Sequence, residues 1–318
     1  RSTLFPYTTL FRSRDLPGGG NPISLDAIEE VQVVVAPFDV RQTNFIGGGI
    51  NAITKSGTNT FKGTAYVYYR DQNLRGNRID HEDLGARPDE KKTTYGFTLG
   101  GPIIKDKLFF FVNYEGEKTP GQVVKYRVTD DINGETNASG LVSRTLASDM
   151  QRVSDFVQSR FGYNPGSYTS YPADESNHRL LARLDWNITD AHHLSVRYNN
   201  TKNVAWNSTN GNSSDTGYRL NGTYRIGAQS MAFSNSLYSQ ENKVQSISAD
   251  LHSRFGQKMS NQLLFTYTNI EDMRGSDSSE FPFIDIMAGK DANGNQIMEP
   301  YMSLGYELFT YNNGVKNL

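Results

Sequence analysis

A rhythm constrains this chain more than any single motif. From residue 58 onward, segments of roughly ten residues alternate apolar and polar side chains, joined by connections that are by turns very short and very long. Segment 61–70 sets Phe61, Ala65, Val67 and Tyr69 against Lys62, Thr64, Tyr66, Tyr68 and Arg70. Segment 94–100 sets Tyr95, Phe97 and Leu99 against Thr94, Gly96, Thr98 and Gly100. Segment 108–117 follows, its alternation blurred by a run of Phe. In 179–187, Leu180, Ala182, Leu184 and Trp186 oppose Arg179, Arg183, Asp185 and Asn187, with Leu181 the exception. Segments 193–201, 245–255 and 261–269 repeat the pattern through Leu194, Val196 and Tyr198, through Ile247, Ala249 and Leu251, and through Leu263, Phe265 and Tyr267. Short connections at 101–107, 188–192 and 256–260 alternate with long ones at 71–91, 118–178, 202–242 and past 270.

A period of two places each set on its own face of a sheet. An outer-membrane barrel requires this pattern, with strands of about 9–11 residues, tight turns on one side of the bilayer and large loops on the other. Soluble sandwiches also alternate, but most loops of compact domains are short. The predicted fold class is therefore all-β, a partial transmembrane antiparallel β-barrel that stays an open curved sheet in this stretch of chain. Phe109 and Phe111, out of step with lipid-facing neighbours, are expected to touch something inside the lumen.

The composition is compatible with this. No run of apolar residues is long enough for a transmembrane helix. A mean hydropathy of −0.59 does not oppose a barrel, because only every second strand residue faces lipid. A formal net charge of −2 argues against a nucleic-acid surface. The absence of Cys rules out disulfides and thiolate metal sites. The 18 Tyr and 17 Phe suit membrane-interface belts.

Ahead of the rhythm, residues 1–13 contain TLFPYTTLFRS, which resembles a translated sequencing adapter and is set aside from fold reasoning. Residues 14–21 read as a Pro/Gly-rich loop, 28–35 as a buried strand ended by Pro37, 47–49 as a Gly turn, and 50–55 as a second short strand. Within the longest connection, Leu146, Met150, Val153 and Val157 recur at helical spacing, with Gly162 as the stop. That predicts a small amphipathic helix packed on a loop. A further strand is expected near 302–310.

Motifs that carry chemistry are scarce. Residues 49–56 superficially resemble a phosphate loop, but Thr54 stands where Gly must precede the Lys-Ser pair. Asp291, Asn293 and Asn295 suggest a calcium loop, yet Gln296 and Met302 occupy the positions that need Gly and an acid. The His residues (His81, His178, His192, His193 and His252) show no helical zinc spacing. No nucleophile elbow is present. The expectation is no enzyme, no catalytic residue, no metal and no cofactor. Arg183, Asp185, Arg197 and Asp250 are expected to line the lumen, pairing with one another or with whatever fills it.

Residues 28–72 (IEEVQVVVAPFDVRQTNFIGGGINAITKSGTNTFKGTAYVYYRDQ) resemble the end of the plug and the first barrel strand of TonB-dependent outer-membrane receptors. Residues 96–118 (GFTLGGPIIKDKLFFFVNYEGEK) resemble the next hairpin of the Oar-like branch, and the segments at 181–199 and 302–313 look like that branch too. The resemblance implies a large barrel whose lumen holds an N-terminal plug. By it, residues 1–13 are an adapter-like artefact, 14–57 the C-terminal part of a plug, and 58–318 the N-terminal part of a barrel with long extracellular loops. The implied function is energy-coupled uptake or export of a ligand through a plugged barrel in the outer membrane of a Gram-negative bacterium. The alternative is a non-transporting structural or adhesive barrel protein. Implied partners are outer-membrane lipid, an unknown extracellular ligand, and an inner-membrane energy-coupling complex engaged through a segment missing from this stretch; nucleic acid is not among them. Tyr163, Tyr168, Tyr171, Trp206 and Tyr218 in the long loops suit contacts to sugars, peptides or adhesive surfaces, and ligand-binding residues are otherwise unknown.

Overall fold

Alternation decides the architecture. In a computed structural model, the described residues are 23–35, 48–74, 78–79, 82–83, 91–121, 123–130, 141–172, 174–209, 225–289, 293–295 and 300–307. The adapter-like stretch, the Pro/Gly-rich segment at 14–21 and Tyr218 lie outside them. An N-terminal hairpin joins β1 (Ile28–Val35) to β2 (Gly48–Thr54) in antiparallel register, with Val33 opposite Ile50. The rhythmic region forms β3 (Lys62–Arg70), β4 (Lys92–Ile104), β5 (Leu108–Thr119), β6 (Glu175–Thr189), β7 (His192–Asn207), β8 (Tyr238–Phe255) and β9 (Met259–Gly275). These seven strands make one sheet in simple sequence order, from β3 at one edge to β9 at the other.

Tight turns at 105–107, 190–191 and 256–258 close the β4–β5, β6–β7 and β8–β9 hairpins. Turns this short enforce antiparallel pairing. Two of them need left-handed backbone: Asp106 has φ of 60° and Gly256 has φ of 63°. Asp is one of the few residues with a Cβ that tolerates this region. Apart from β3, which has 9 residues, the strands run longer than the sequence predicts, up to 18 residues in β8. The excess lies mostly toward the long connections, where backbone pairing continues through stretches polar on both faces, such as 199–203 in β7. Crossing hydrocarbon requires only part of each ladder.

The two faces are inverted relative to a water-soluble protein. Val67, Phe97, Leu99, Leu184, Trp186, Ile247, Leu263, Phe265 and Tyr267 are exposed, Val67 at 71%. Thr98, Asn113, Glu115, Arg179, Arg183, Arg197 and Asp250 are buried, Glu115 at 8%. Charges inside and aliphatics outside would be costly in water. The arrangement is favourable where hydrocarbon covers the outer face. The register aligns the outward set across strands, with Ala65 opposite Phe97 and Phe97 opposite Tyr114. Glycines within β4 and β5 leave room for rings from neighbouring strands: a Cβ on Gly101 would meet the Phe61 ring at 2.4 Å, and one on Gly116 the Tyr95 ring at 2.4 Å. Toward the long connections, outward polar groups satisfy each other. Tyr114 OH lies 2.8 Å from His178 Nδ1, and Gln245 Nε2 donates to Tyr198 OH at 3.0 Å.

Contacts divide the chain into two compact units. The first holds the N-terminal hairpin and most of the sheet. The second comprises Pro120–Glu175, Val204–Glu241 and the residues from Asp272 on, so it is built from long connections. It has an apolar core of its own, in which Met150, Met231, Ala232, Phe233 and Leu237 are fully buried. The expected helix is present as α1 (Ala147–Phe161), burying Met150 and Val157, with Gly162 in the left-handed conformation at its end. Leu146 precedes the helix rather than opening its first turn. Tyr301 serves as a cap there: its hydroxyl accepts from Leu146 N at 2.8 Å and donates to Asp149 at 2.9 Å. The strand expected near 302–310 is Pro300–Leu304. It pairs with Ile284–Met287 and Met231–Ala232 in a small separate sheet and does not join the sheet of β3–β9. Its residues Met302, Ser303 and Leu304 are buried in this second core, which the barrel period does not encode.

The inverted face predicts the behaviour of a substitution on β6. In the full-length protein, Leu184→Arg destabilises the barrel by about 2–4 kcal/mol in refolding equilibria with lipid vesicles. The same change at a water-facing site would stay within about 0.5 kcal/mol, and that result would remove the membrane reading. A second prediction concerns the loop unit. Tyr171 donates to Ala232 O at 2.8 Å and Tyr168 O at 3.2 Å, and burial pushes its hydroxyl pKa well above 10.0. A raised folded pKa means stability that is complete below pH 10 and is lost as pH rises beyond it. Urea midpoints followed by Trp206 emission, in a Trp186→Phe background, should fall above that pH. Tyr171→Phe should lower stability at neutral pH by about 1 kcal/mol and flatten the alkaline slope.

Candidate functional site

The inward face of the first unit concentrates the buried charge. Lys92 on β4 lies 2.8 Å from Glu117 on β5. Arg179 on β6 donates to Glu115 and stands 3.8 Å from Glu117. The result is a line of alternating charge, Lys92, Glu117, Arg179 and Glu115, across three adjacent strands. Buried charges persist only when paired and hydrogen-bonded. Glu115 also accepts from Tyr66 OH on β3 at 2.6 Å.

The remaining donor to Glu115 comes from outside the sheet. Ser24, just before β1, donates its hydroxyl at 3.0 Å and lies 3.3 Å from Tyr66 OH. A second polar contact joins the end of β2 to the wall. Arg183 forks onto Asp185 through Nε at 3.0 Å and Nη2 at 2.9 Å, while Nη1 donates to Thr54 O at 2.8 Å. Ser195 on β7 donates to the same carboxylate. The planar guanidinium can serve both partners because its donors point in fixed directions.

Between these contacts lies a small apolar one. Ile23 and Ala27 pack with Phe111 and Leu181, with Ile28 and Ala52 at the margin. This accounts for two irregularities in the alternation. Phe111 and Leu181 break the polar inner face because a second layer covers them there. At the join with β3 the chain lies flat on the sheet. A Cβ on Gly57 would come within 2.3 Å of Phe110 O and 2.8 Å of Gly101 O. Asn59 then clasps the β4–β5 turn: it accepts from Asp106 N at 2.8 Å and donates to the Asp106 carboxylate.

The other expected wall residues are also inward. Arg197 is buried, and Asp250 accepts from Gln262 Nε2 at 3.1 Å and lies 3.2 Å from His252 Nε2. Of the wall set, the structure joins Arg183 to Asp185. Ser24 and Thr54 carry no motif, and only their position on the inner wall brings them to notice. The apparent phosphate loop is strand as far as Thr54, and beyond it Lys55 N donates to Ala27 O at 2.9 Å. Asp291 and Gln296 of the calcium-like segment lie outside the described residues, as does His81, and Met302 is a core residue. His192 bonds Ser253 and His193 bonds Asn187. Among the described residues, no group of His, Asp or Glu side chains could hold a metal ion.

The loop aromatics occupy structural positions. Tyr163 is buried and stacks on Phe281 with ring centroids 3.9 Å apart, while Tyr168 meets Phe233 edge to face. Tyr171 and Trp206 pack against the same core. These rings build the second unit.

Comparison with known proteins agrees with this geometry. An outer membrane beta barrel domain family matches residues 53–133. The chain is 27% identical over 190 residues to the TonB-dependent transporter Oar of Myxococcus xanthus, a match covering 57% of this chain and 16% of that protein. The chain thus spans less than a fifth of that relative's length. No solved structure matches it. With its apolar side chains turned outward and its charges inward, the chain is a β-barrel protein of the cell outer membrane and resembles the Oar-like TonB-dependent receptors.

Proposed function

We propose that this chain is part of an energy-coupled receptor and transporter, in which residues 14–57 are the C-terminal part of a plug and residues from 58 on begin the barrel. A ligand is captured by the long external connections and passes through the lumen once the plug is displaced. The energy comes from an inner-membrane complex acting on a segment outside this stretch, as the TonB-dependent name of the Oar relative suggests. No catalytic step is assigned to the chain.

The observation that carries this reading is the character of the contact between the N-terminal hairpin and the wall. It consists of a few side-chain hydrogen bonds, at Ser24, Thr54, Glu115 and Arg183, around a small apolar cluster. Each such bond exchanges against water for a net of only about 0.5–1.5 kcal/mol. The sheet keeps its own ladder when they break. A pull on the hairpin can therefore release it without unfolding the wall.

Living cells provide the test. Ser24 is 1% exposed and Thr54 is 3% exposed, so a cysteine at either position should resist an impermeant maleimide at rest. In the full-length protein, Ser24→Cys and Thr54→Cys should label several-fold faster in energised cells than in cells treated with a protonophore. Equal labelling in both conditions would remove energy coupling and favour the structural or adhesive alternative.

A further inference from the structure

The turn end of the sheet carries a charge pattern that none of the functions above uses. Segments 105–107, 189–193 and 254–258 hold Lys105, Lys107, Arg254 and Lys258 against only two carboxylates, Asp106 and Asp190. The whole chain has a net charge of −2, so this rim runs against the sign of the molecule. All four cations are exposed. The Asp106 carboxylate is already engaged by Asn59.

The turns form one laced edge. Asn187 N on β6 donates to Lys107 O at 2.7 Å, and Asn187 Nδ2 donates to Asp106 O at 3.0 Å. Arg254 N on β8 donates to Ala191 O at 2.8 Å. These bonds fix the turns in a row and so hold the cations at one level. Immediately before that level, along the strands, come exposed Phe61, Ile103, Trp186, Ile188, Phe255 and Met259. These are the last residues of the apolar band at this end.

We infer that this rim binds the phosphate headgroups of anionic phospholipids in the leaflet facing the tight turns. Two observations favour that occupant. The cations continue a surface that hydrocarbon already covers, so lipid headgroups lie at their level without any further partner. Their excess over nearby carboxylates complements a negative headgroup, and Lys and Arg are the side chains long enough to reach a headgroup from the edge of an apolar band. Attraction between such cations and anionic lipid is additive and weakens with salt. The inference concerns anchoring and holds whether or not the barrel transports.

The experiment uses the full-length protein in phosphatidylcholine vesicles carrying spin-labelled lipids. The relative association constant of spin-labelled phosphatidylglycerol against spin-labelled phosphatidylcholine is read from the motionally restricted fraction. The native protein should prefer phosphatidylglycerol. Each engaged cation contributes on the order of fivefold at its own site, which averages to a smaller preference over the whole lipid shell. Raising the salt should bring the ratio toward one. The combined variant Lys105→Gln, Lys107→Gln, Arg254→Gln, Lys258→Gln should show no preference even at low salt. A ratio of one for the native protein at low salt overturns the inference, and so does an unchanged preference in the variant. If the variant fails to insert, a salt-independent ratio in the native protein is sufficient to overturn it. Loss of binding to an acidic periplasmic protein, with the lipid ratio unchanged, would assign the rim to that partner and likewise overturn the lipid proposal.

Discussion

Hydrocarbon offers no hydrogen bonds, so a chain that crosses it must satisfy its backbone internally. Here the adjacent strands β3 to β9 do this by pairing. Once the ladder handles the backbone, the side chains are free to invert. Val67 and Leu263 can stand outside and Glu115 and Arg179 inside, because the outer medium accepts aliphatics and the inner face supplies partners. The features of the first unit follow from this. Tight turns at 105–107, 190–191 and 256–258 keep the pairing antiparallel, and rings laid over Gly101 and Gly116 fill the outer surface where side chains are lacking.

The second unit obeys the opposite rule. Its long connections bury Phe233, Met150 and Leu237 away from solvent around a helix and a small sheet. A single chain thus carries one unit with its apolar residues outward and one with them inward, and membership changes several times along the sequence. Tyr163 is buried and Tyr168, Tyr171 and Trp206 are partly buried against the same core, so aromatic content in a loop does not by itself mark a binding surface.

The barrel half of this architecture was legible in the sequence because a period of two is a local signal. Phe61 through Tyr69, Leu180 through Trp186 and Leu263 through Tyr267 declare their faces without reference to the rest of the chain. The helix at Ala147–Phe161 was legible for the same reason, through Met150, Val153 and Val157 with Gly162 behind them. Contacts between distant segments were not. Nothing near Ser24 announces Glu115, which lies 91 residues away, and nothing near Thr54 announces Arg183, 129 residues away. The strand at Pro300–Leu304 lies near its expected place, but its pairing partners, among them Met231 and Ile286, are set by the second core and leave no local signal. Except for β3, strands exceed their expected lengths because hydrophobicity reports where lipid ends, whereas hydrogen bonding continues beyond it.

The exceptions to the period carry the most information about the interior. A lumen wall exposed only to water has no use for Phe111 or Leu181, and a sealed apolar interface has no use for Arg183 beside Asp185. Their coexistence on adjoining strands means that the wall faces a partner that is apolar in one place and polar around it. The N-terminal hairpin and the residues just before it match that description, with Ile23 and Ala27 on Phe111 and Leu181, Ser24 on Glu115 and Thr54 on Arg183. A fully apolar contact of the same extent would hold the hairpin through burial that water cannot replace. A fully charged one would leave ions unpaired whenever the hairpin left. In the arrangement present, Glu115 keeps Arg179 and Tyr66, and Arg183 keeps Asp185, even when Ser24 and Thr54 are withdrawn. The charges of the wall therefore stay paired without the hairpin, and only Phe111 and Leu181 lose their cover.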